Sequence, residues 1–330
     1  QPVAAEGRDY GVRFTLLGGD VVMNVIRYEG EEKNRSFSSS PFQQNLNSII
    51  NANAFGDLVS SINSRGLLPL PSGYVDTASV ETEGWEFELT ANLTKNWRMM
   101  LNAALPRATQ TDANKESYDY WVKNRDTLRL IIQDAGGTFN GDLATFTGTP
   151  PPGQSATEGQ NAVNAWNGNV SSFAGRADGQ KLNRLTESTL NFFTDYSVPK
   201  GRLKGLRVGA GVNYRGKQVI GTRGGDTIRN PASANTAIDD PNAGPYDYVY
   251  ADPYAVGTIT LNYTLRFQRK YTVSFNLKVD NLFDHDEPLY VNTIDRPVGG
   301  DLTNPGRVAT PARFTWVTPR NYTFTTTLKF

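Results

Sequence analysis

Arg320-Asn321-Tyr322-Thr323-Phe324-Thr325-Thr326-Thr327-Leu328-Lys329-Phe330 closes the sequence. Counted back from the end, every second residue (Phe330, Leu328, Thr326, Phe324, Tyr322) is apolar or aromatic apart from one threonine. The intervening set, Lys329, Thr327, Thr325, Thr323 and Asn321, is wholly polar. Successive side chains of a β-strand point to opposite faces, so this stretch predicts one strand with an apolar and a wet side.

The same alternation recurs upstream. Residues 11–17 place Val12, Phe14 and Leu16 on one face, and residues 21–29 return after Gly18-Gly19. Residues 76–94 set Trp85, Phe87, Leu89, Ala91 and Leu93 against Glu86, Glu88, Thr90 and Asn92. Residues 97–105 return through Lys95-Asn96 with Trp97, Met99, Leu101, Ala103 and Leu105 together. Residues 185–198, 205–221, 253–267 and 271–283 repeat the pattern, although Phe193 interrupts one polar side. With the final strand this makes about nine by period-2 matching.

The connectors alternate in length. Residues 17–20, 95–96, 199–204 and 268–270 read as turns; 30–72, 106–183, 222–252 and 284–312 are long. Two long connectors contain helical spacing: residues 41–58 (Phe42, Leu46, Ile49, Ile50) and 115–135 (Tyr118, Trp121, Leu128, Ile131, Ile132), the latter stopped by Gly136-Gly137. The stretch around Pro150-Pro151-Pro152-Gly153 reads as irregular.

One trimmed rim and one elaborated rim, with Trp97, Tyr196, Phe267, Tyr271 and Phe330 at the trimmed one, predict an all-β fold. The expectation is an antiparallel transmembrane β-barrel with short helices in extracellular loops and an interfacial aromatic girdle. The alternative is a soluble antiparallel sandwich, which also alternates. The barrel requires Leu261, Phe275, Leu277 and Phe324 to face outward; the sandwich requires them in a closed core.

Composition narrows the function. Lys plus Arg and Asp plus Glu are 33 each, so nothing marks a nucleic-acid partner. Cysteine is absent and His285 is the one histidine, which excludes a disulfide framework, cysteine-ligated metal and His-rich metal sites. Mean hydropathy is −0.48 and no apolar run has the length of a membrane helix, as barrel strands would also give. No phosphate loop, nucleophile elbow or metal-ligand spacing is present; the chain reads as a non-enzyme without cofactor or metal. No signal sequence precedes Gln1, and Gln1 is expected to be a cut end.

Candidate residues fall in two groups. Glu86, Glu88, Arg207, Arg215, Lys278 and Asp280 lie on polar strand faces and are expected to face the lumen as a network. Glu86 and Glu88, two apart on one face, could serve acid–base chemistry; the alternative is lumen charge near Arg98 or Arg207. Tyr118, Tyr120, Trp121, Trp166, Tyr246, Tyr248 and Tyr250 lie in long connectors and are candidate ligand contacts, since aromatics give contact area at low entropic cost. The alternative is that they pack the connectors together. Asp239-Asp240 could contribute oxygens to a calcium site and His285 could touch ligand at the outer rim; solvated loop residues are the default reading of both.

Lys278-Val279-Asp280-Asn281-Leu282-Phe283-Asp284, a long last connector and a final strand ending on Phe330 resemble the carboxyl end of TonB-dependent outer-membrane receptors. Glu83-Gly84-Trp85-Glu86-Phe87-Glu88-Leu89, followed by Leu93-Thr94-Lys95-Asn96-Trp97, resembles a mid-barrel hairpin of that family. The resemblance implies a 22-stranded barrel with a plugged lumen. It also implies active uptake of a scarce ligand (siderophore, cobalamin or oligosaccharide) in the outer membrane of a Gram-negative-type bacterium. The implied partners are outer-membrane lipid, the TonB complex acting through a plug, and the barrel assembly machinery reading Tyr322, Phe324, Leu328 and Phe330. The sequence departs from the family by having about nine strands and no plug domain, so residues 1–330 are expected to be the carboxyl-terminal portion of such a barrel. A passive porin-like small barrel and a soluble carbohydrate-binding β-protein remain the alternatives.

Overall fold

The computed structural model describes residues 2–37, 41–50, 64–68, 70, 76–149, 155–174, 178–267 and 271–330. The expected turn at 268–270, the irregular stretch at Pro150-Pro151-Pro152-Gly153 and residues 51–58 of the first expected helix lie outside them.

In chain order the elements are β1 (Ala4–Leu16), β2 (Val21–Phe37), α1 (Pro41–Ile50), β3 (Asp76–Thr94), β4 (Trp97–Thr111) and α2 (Lys115–Asp134). Then come β5 (Gly137–Asn140), β6 (Leu143–Phe146), α3 (Ala156–Ala174), β7 (Gln180–Lys181), β8 (Thr189–Ser197) and β9 (Leu206–Arg215). The last third holds β10 (Gln218–Thr222), β11 (Thr227–Asn230), β12 (Ser233–Asp239), β13 (Tyr248–Ala251), β14 (Tyr254–Phe267) and β15 (Tyr271–Asp280). It ends with β16 (Leu289–Pro297), β17 (Arg307–Thr315) and β18 (Asn321–Lys329).

One sheet runs β1-β2-β3-β4-β8-β9-β14-β15-β18, with β7 also paired to β4. Those nine are the strands read from the alternation. The connectors hold more structure than expected: α3, and the hairpins β5–β6, β11–β12 and β16–β17, together with the β10–β13 pair.

The chain divides into two compact units. One comprises Gln1–Glu6, Glu31–Glu81 and Thr109–Gln180; the other comprises Gly7–Gly30, Thr82–Ala108 and Lys181–Phe330.

In the second unit the register sorts residues into two faces. Leu261 pairs with Leu277 and with Val208, Leu277 with Phe324, and Tyr196 with both Val208 and Trp97. Between these rows stand Thr260 with Lys278 and Gly209, Asp195 with Gly209 and Arg98, and Lys278 with Thr323. The apolar face is left open. Tyr322, Phe324 and Leu328 are 63%, 66% and 57% exposed, and Trp97, Tyr196, Phe267 and Tyr271 are exposed at strand ends. Leu261, Phe275 and Leu277 are partly exposed. That excludes the closed sandwich core. Roughly a dozen exposed apolar side chains at ~1.5–3 kcal/mol each amount to about 18–36 kcal/mol. This exceeds the ~5–15 kcal/mol net stability of an ordinary domain, so water is the wrong solvent for this face.

Two sequence oddities have local causes. The first turn needs positive φ at Leu17, Gly18 and Gly19 (52°, 68° and 101°), which two glycines supply cheaply. Phe193, on the polar face, covers glycines: its ring carbons lie 3.3 Å from where a Cβ of Gly209 or of Gly211 would stand.

Several strand ends shift. β2 continues to Phe37 and β4 to Thr111, through Pro106. The β4–β8 register stops at Ala104 and the next bond on that side, from Leu182 N–H, reaches the Ala108 carbonyl, so Pro106 forfeits no ladder bond there. β9 ends at Arg215, before the expected limit of 221. Gly216 N–H turns to the Ser188 carbonyl (2.8 Å), and Gln218–Thr222 pairs with β13 instead.

The first unit has its own core. Leu46, Ile49, Trp121, Leu128, Ile131, Ile132, Val163 and Trp166 cluster where α1, α2, α3 and the β5–β6 hairpin meet. α2 matches the expected helix. α3 replaces expected irregular chain; Val163, Trp166, Val170 and Phe173 recur at helical spacing, but among Gly, Asn and Ser.

Candidate functional site

The final strand and the motif before it are tied together. Asn281 is 1% exposed with φ 51°. Its side-chain amide donates to the carbonyls of His285 (2.9 Å) and Thr318 (3.2 Å), and its carbonyl accepts from His285 N–H (2.9 Å). Asp284 forms an ion pair with Arg320 (2.7 Å), and the Phe283 ring fills the space over Gly257. The motif therefore anchors the start of β18. His285 stacks on Tyr254 (5.4 Å between ring centroids).

On the polar face, Arg207 Nε and Nη2 both meet Asp195 Oδ2, at 2.9 and 2.8 Å. Asp195, not Glu86 or Glu88, is the partner of Arg207. Asp195 was missed as a candidate, yet it is the residue that sits across the sheet from Arg98. Lys278 pairs with Asp280 (2.9 Å), which also accepts from the Thr258 hydroxyl (3.2 Å). Glu88 accepts from Asn24 Nδ2 (2.8 Å), and Glu86 is exposed. Arg207, Lys278 with Asp280, and Glu88 thus make separate contacts rather than one network.

Beyond β9 and β14 the connectors carry a cleft of about 210 Å³. Thr186, Arg215, Gln218, Asp252, Tyr254 and Tyr290 contribute its polar wall. Arg215 and Asp252 make no ion pair among the described residues, so the cleft presents one open cation and one open anion beside two phenols.

Nearby in the chain, Tyr248 and Tyr250 hold Lys181. The Lys181 ammonium meets Glu187 and the Tyr250 hydroxyl (2.9 Å), and stands 5.4 and 5.5 Å from the two ring centres. The Tyr248 hydroxyl accepts from Lys181 N–H (2.9 Å). The hydrogen bond that Lys181 donates holds the Glu187 carboxyl below its usual range and raises Lys181 in turn. This cage is filled by the protein's own cation. Tyr246 is exposed.

The aromatics of the first unit divide. Trp121 and Trp166 are 3% and 0% exposed, with ring centroids 4.4 Å apart, and Trp166 Nε1 donates to the Asp142 carbonyl (2.7 Å). They are core, which corrects their assignment as ligand contacts: helix packing claims both rings. Tyr118 lies edge-on to Phe173 (5.3 Å), and the Tyr120 hydroxyl donates to the Leu68 carbonyl (3.1 Å). Among the described residues no group of three or more His, Asp or Glu could hold a metal.

No family model matches the sequence, and no curated protein does. Solved structures do. The FpvAI–pyocin S2 complex matches at 16% identity and TM-score 0.50, covering 100% of this chain and 27% of that one. The ferripyoverdine receptor of the outer membrane of Pseudomonas aeruginosa matches at 16% identity and TM-score 0.47, covering 98% and 27%. The ferric-catecholate import receptor Fiu from Escherichia coli K12 matches at 14% identity and TM-score 0.44, covering 100% and 28%. The chain thus spans about a quarter of the length of the solved chains it matches. These solved chains are TonB-dependent outer-membrane receptors, and the nine-strand antiparallel sheet has the fold of part of such a barrel.

Proposed function

We propose that residues 1–330 are the carboxyl-terminal portion of a receptor barrel in the outer membrane of a Gram-negative-type bacterium. The receptor binds a scarce ligand, of the siderophore, cobalamin or oligosaccharide class, and imports it with energy transduced by TonB. The observation that carries this reading is the open apolar face of the nine-strand sheet. Tyr322 to Phe330 covers about 27 Å of strand, and a 35–45° tilt reduces that to roughly 20 Å of membrane depth. The apolar stretches of β4, β9, β14 and β15 are at least as long in residues.

Two further features support it. β1 and β18 are the two ends of the sheet order and are not partners among the described residues. Open edges are a liability that additional strands would remove, as in a larger barrel. The cleft with Arg215, Asp252, Tyr254 and Tyr290, together with exposed Tyr246, lies at the long-connector ends of the strands, where an arriving ligand would first meet polar and aromatic groups.

The absence of native cysteine makes the test direct. Leu277→Cys and Lys278→Cys are adjacent on β15 and on opposite faces. In native membranes a lipid-soluble maleimide should label the first and a charged maleimide the second. Equal labelling of both by the charged reagent would remove the membrane-spanning role and favour a soluble binding protein.

A further inference from the structure

The start of β3 and the amino end of α2 hold buried side-chain oxygens without a hydrogen-bond partner. Asp76, Asn114 and Ser117 are 1%, 8% and 0% exposed. Asp76 Oδ1 accepts the N–H groups of Glu116 (3.0 Å) and Ser117 (3.3 Å), which fixes its carboxyl against that turn. The Glu116 carboxylate accepts from Thr77 N–H (2.9 Å) and from the Thr77 hydroxyl (2.7 Å). Thr77 follows Asp76 in the chain, so the two carboxyls lie side by side. Burial raises Asp76, while hydrogen bonds, that from Thr77 the largest among them, outweigh desolvation and lower Glu116.

Three oxygens remain. Asp76 Oδ2, Asn114 Oδ1 and Ser117 Oγ have no hydrogen-bond partner. The Ser117 hydroxyl is near the Asp76 carboxyl without being aligned to donate to it. No Lys or Arg forms an ion pair with Asp76 or Glu116 among the described residues; the adjacent Lys115 reaches Asp119 instead (2.7 Å). Two neighbouring carboxyls, Asp76 buried and Glu116 partly so, repel when neither has a counter-charge, and the repulsion grows as the medium becomes less polar. Of the three orphan atoms, Asn114 Oδ1 and an ionised Asp76 Oδ2 only accept and the Ser117 hydroxyl alone can donate, so beside two carboxyls the set disfavours an anion. A hard divalent cation supplies the missing charge and takes carboxylate, amide and hydroxyl oxygens alike.

We propose that Asp76, Asn114, Glu116 and Ser117 form the protein's share of a calcium-class cation site that staples the start of β3 to the amino end of α2. The site lies wholly within the first compact unit and does not depend on the proposed uptake role. Two carboxylates give it modest affinity, in the ~10⁻⁴–10⁻³ M range of extracellular calcium modules.

Terbium luminescence tests it on the whole chain in detergent, excited through Trp121, one helical turn beyond Ser117. The expected result is saturable emission that calcium displaces. Asp76→Asn should weaken terbium binding at least tenfold. Asn114→Ala, which keeps both carboxylates, should weaken it several-fold. Absence of sensitised emission up to 1 mM terbium overturns the site, as does emission unchanged in both variants. If Asp76→Asn unfolds the helical unit, Asn114→Ala decides alone: unchanged affinity there overturns the site. If Asp76→Asn raises the melting temperature and the parent shows no calcium response, the carboxyls share a proton and the proposal fails.

Discussion

The side-chain amide of Asn281 donates to the carbonyl of Thr318 (3.2 Å), joining the end of β15 to the residue that leads into β18. Asn281→Ala removes that bond and two more to His285 from a buried place, and forces alanine to φ 51°. Lost bonds and strain together predict a loss of about 2–4 kcal/mol. Asn281→Gly loses the same bonds without the strain and should be about 1 kcal/mol milder. Denaturant midpoints of the two variants check both figures; an alanine no worse than the glycine would show that the αL conformation is not retained.

The cover of Phe193 over Gly209 and Gly211 predicts a size limit on the polar face. A Cβ at Gly209 would lie 2.5 Å from Thr260 Oγ1 as well as against the Phe193 ring. Gly209→Val should cost about 1–3 kcal/mol by overpacking, and Phe193→Ala in the same background should recover part of it. Thermal unfolding of the two single variants and the double measures the coupling; strict additivity would refute the contact.

Which features were legible follows from the range of the signal. Tyr271 to Asp280 could be read because each residue announces its face to its neighbour, and the pairing partner β14 is close in sequence. The burial of Trp121 beside Trp166 could not be read that way, since the partners are far apart in sequence and belong to different helices. Val163, Trp166, Val170 and Phe173 recur at helical spacing in α3, but Gly159, Gly168 and several Asn and Ser residues among them dilute the local signal. Asp195 escaped notice for a related reason: a lone acid on a strand acquires meaning only when register places it beside Arg207.

Arg207 and Asp195 make a prediction of their own. Asp195 is 8% exposed, so Arg207→Ala leaves a nearly buried carboxylate unpaired and should cost about 1–3 kcal/mol. Asp195→Asn in the Arg207→Ala background should recover much of the loss, because it removes the stranded charge. Equilibrium unfolding of the four forms gives the answer, and an equal loss in single and double variants would sink the account.

Glu187 carries a pH signature. Its folded-state pKa lies below the ordinary ~4.3 of glutamate because Lys181 donates to it. The stability it contributes is therefore present above the unfolded-state value and is lost as pH falls through the lower folded one. Both side chains are about a third exposed, so screening keeps the effect small. Melting temperature recorded from pH 6 to pH 3 should fall more steeply in the parent than in Glu187→Gln. Parallel curves would show that the pair contributes nothing.

Trp166 tests the independence of the helical core. It is fully buried and bonded through Nε1, so Trp166→Ala should cost about 3–5 kcal/mol. The loss should be confined to the first unit, since the cluster it belongs to consists of residues of that unit. Hydrogen exchange should speed up in α1, α2 and α3 while β14 and β15 keep their protection. Uniform acceleration through those strands would mean that the two units unfold together.

Asp226 links the last two long connectors. It is 3% exposed, accepts from Arg223 Nε (2.8 Å), and reaches across to Ala309 N–H (2.8 Å) in β17. Beside it, the Thr227 hydroxyl accepts from Arg307 N–H (2.9 Å). Asp226→Ala removes the acceptor for a backbone donor and for a guanidinium at once, so the β16–β17 hairpin loses its main polar tether to 222–252. The sheet strands do not use Asp226, and the predicted effect is local: faster proteolytic cleavage in 298–306, with the global unfolding free energy lowered by no more than about 1–2 kcal/mol. Asp226→Asn keeps an oxygen for Ala309 but loses the charge on Arg223, and should fall between the two. Cleavage at the parent rate in Asp226→Ala would show that the apolar contacts of β16 and β17 with β10 and β13 hold the hairpin without it.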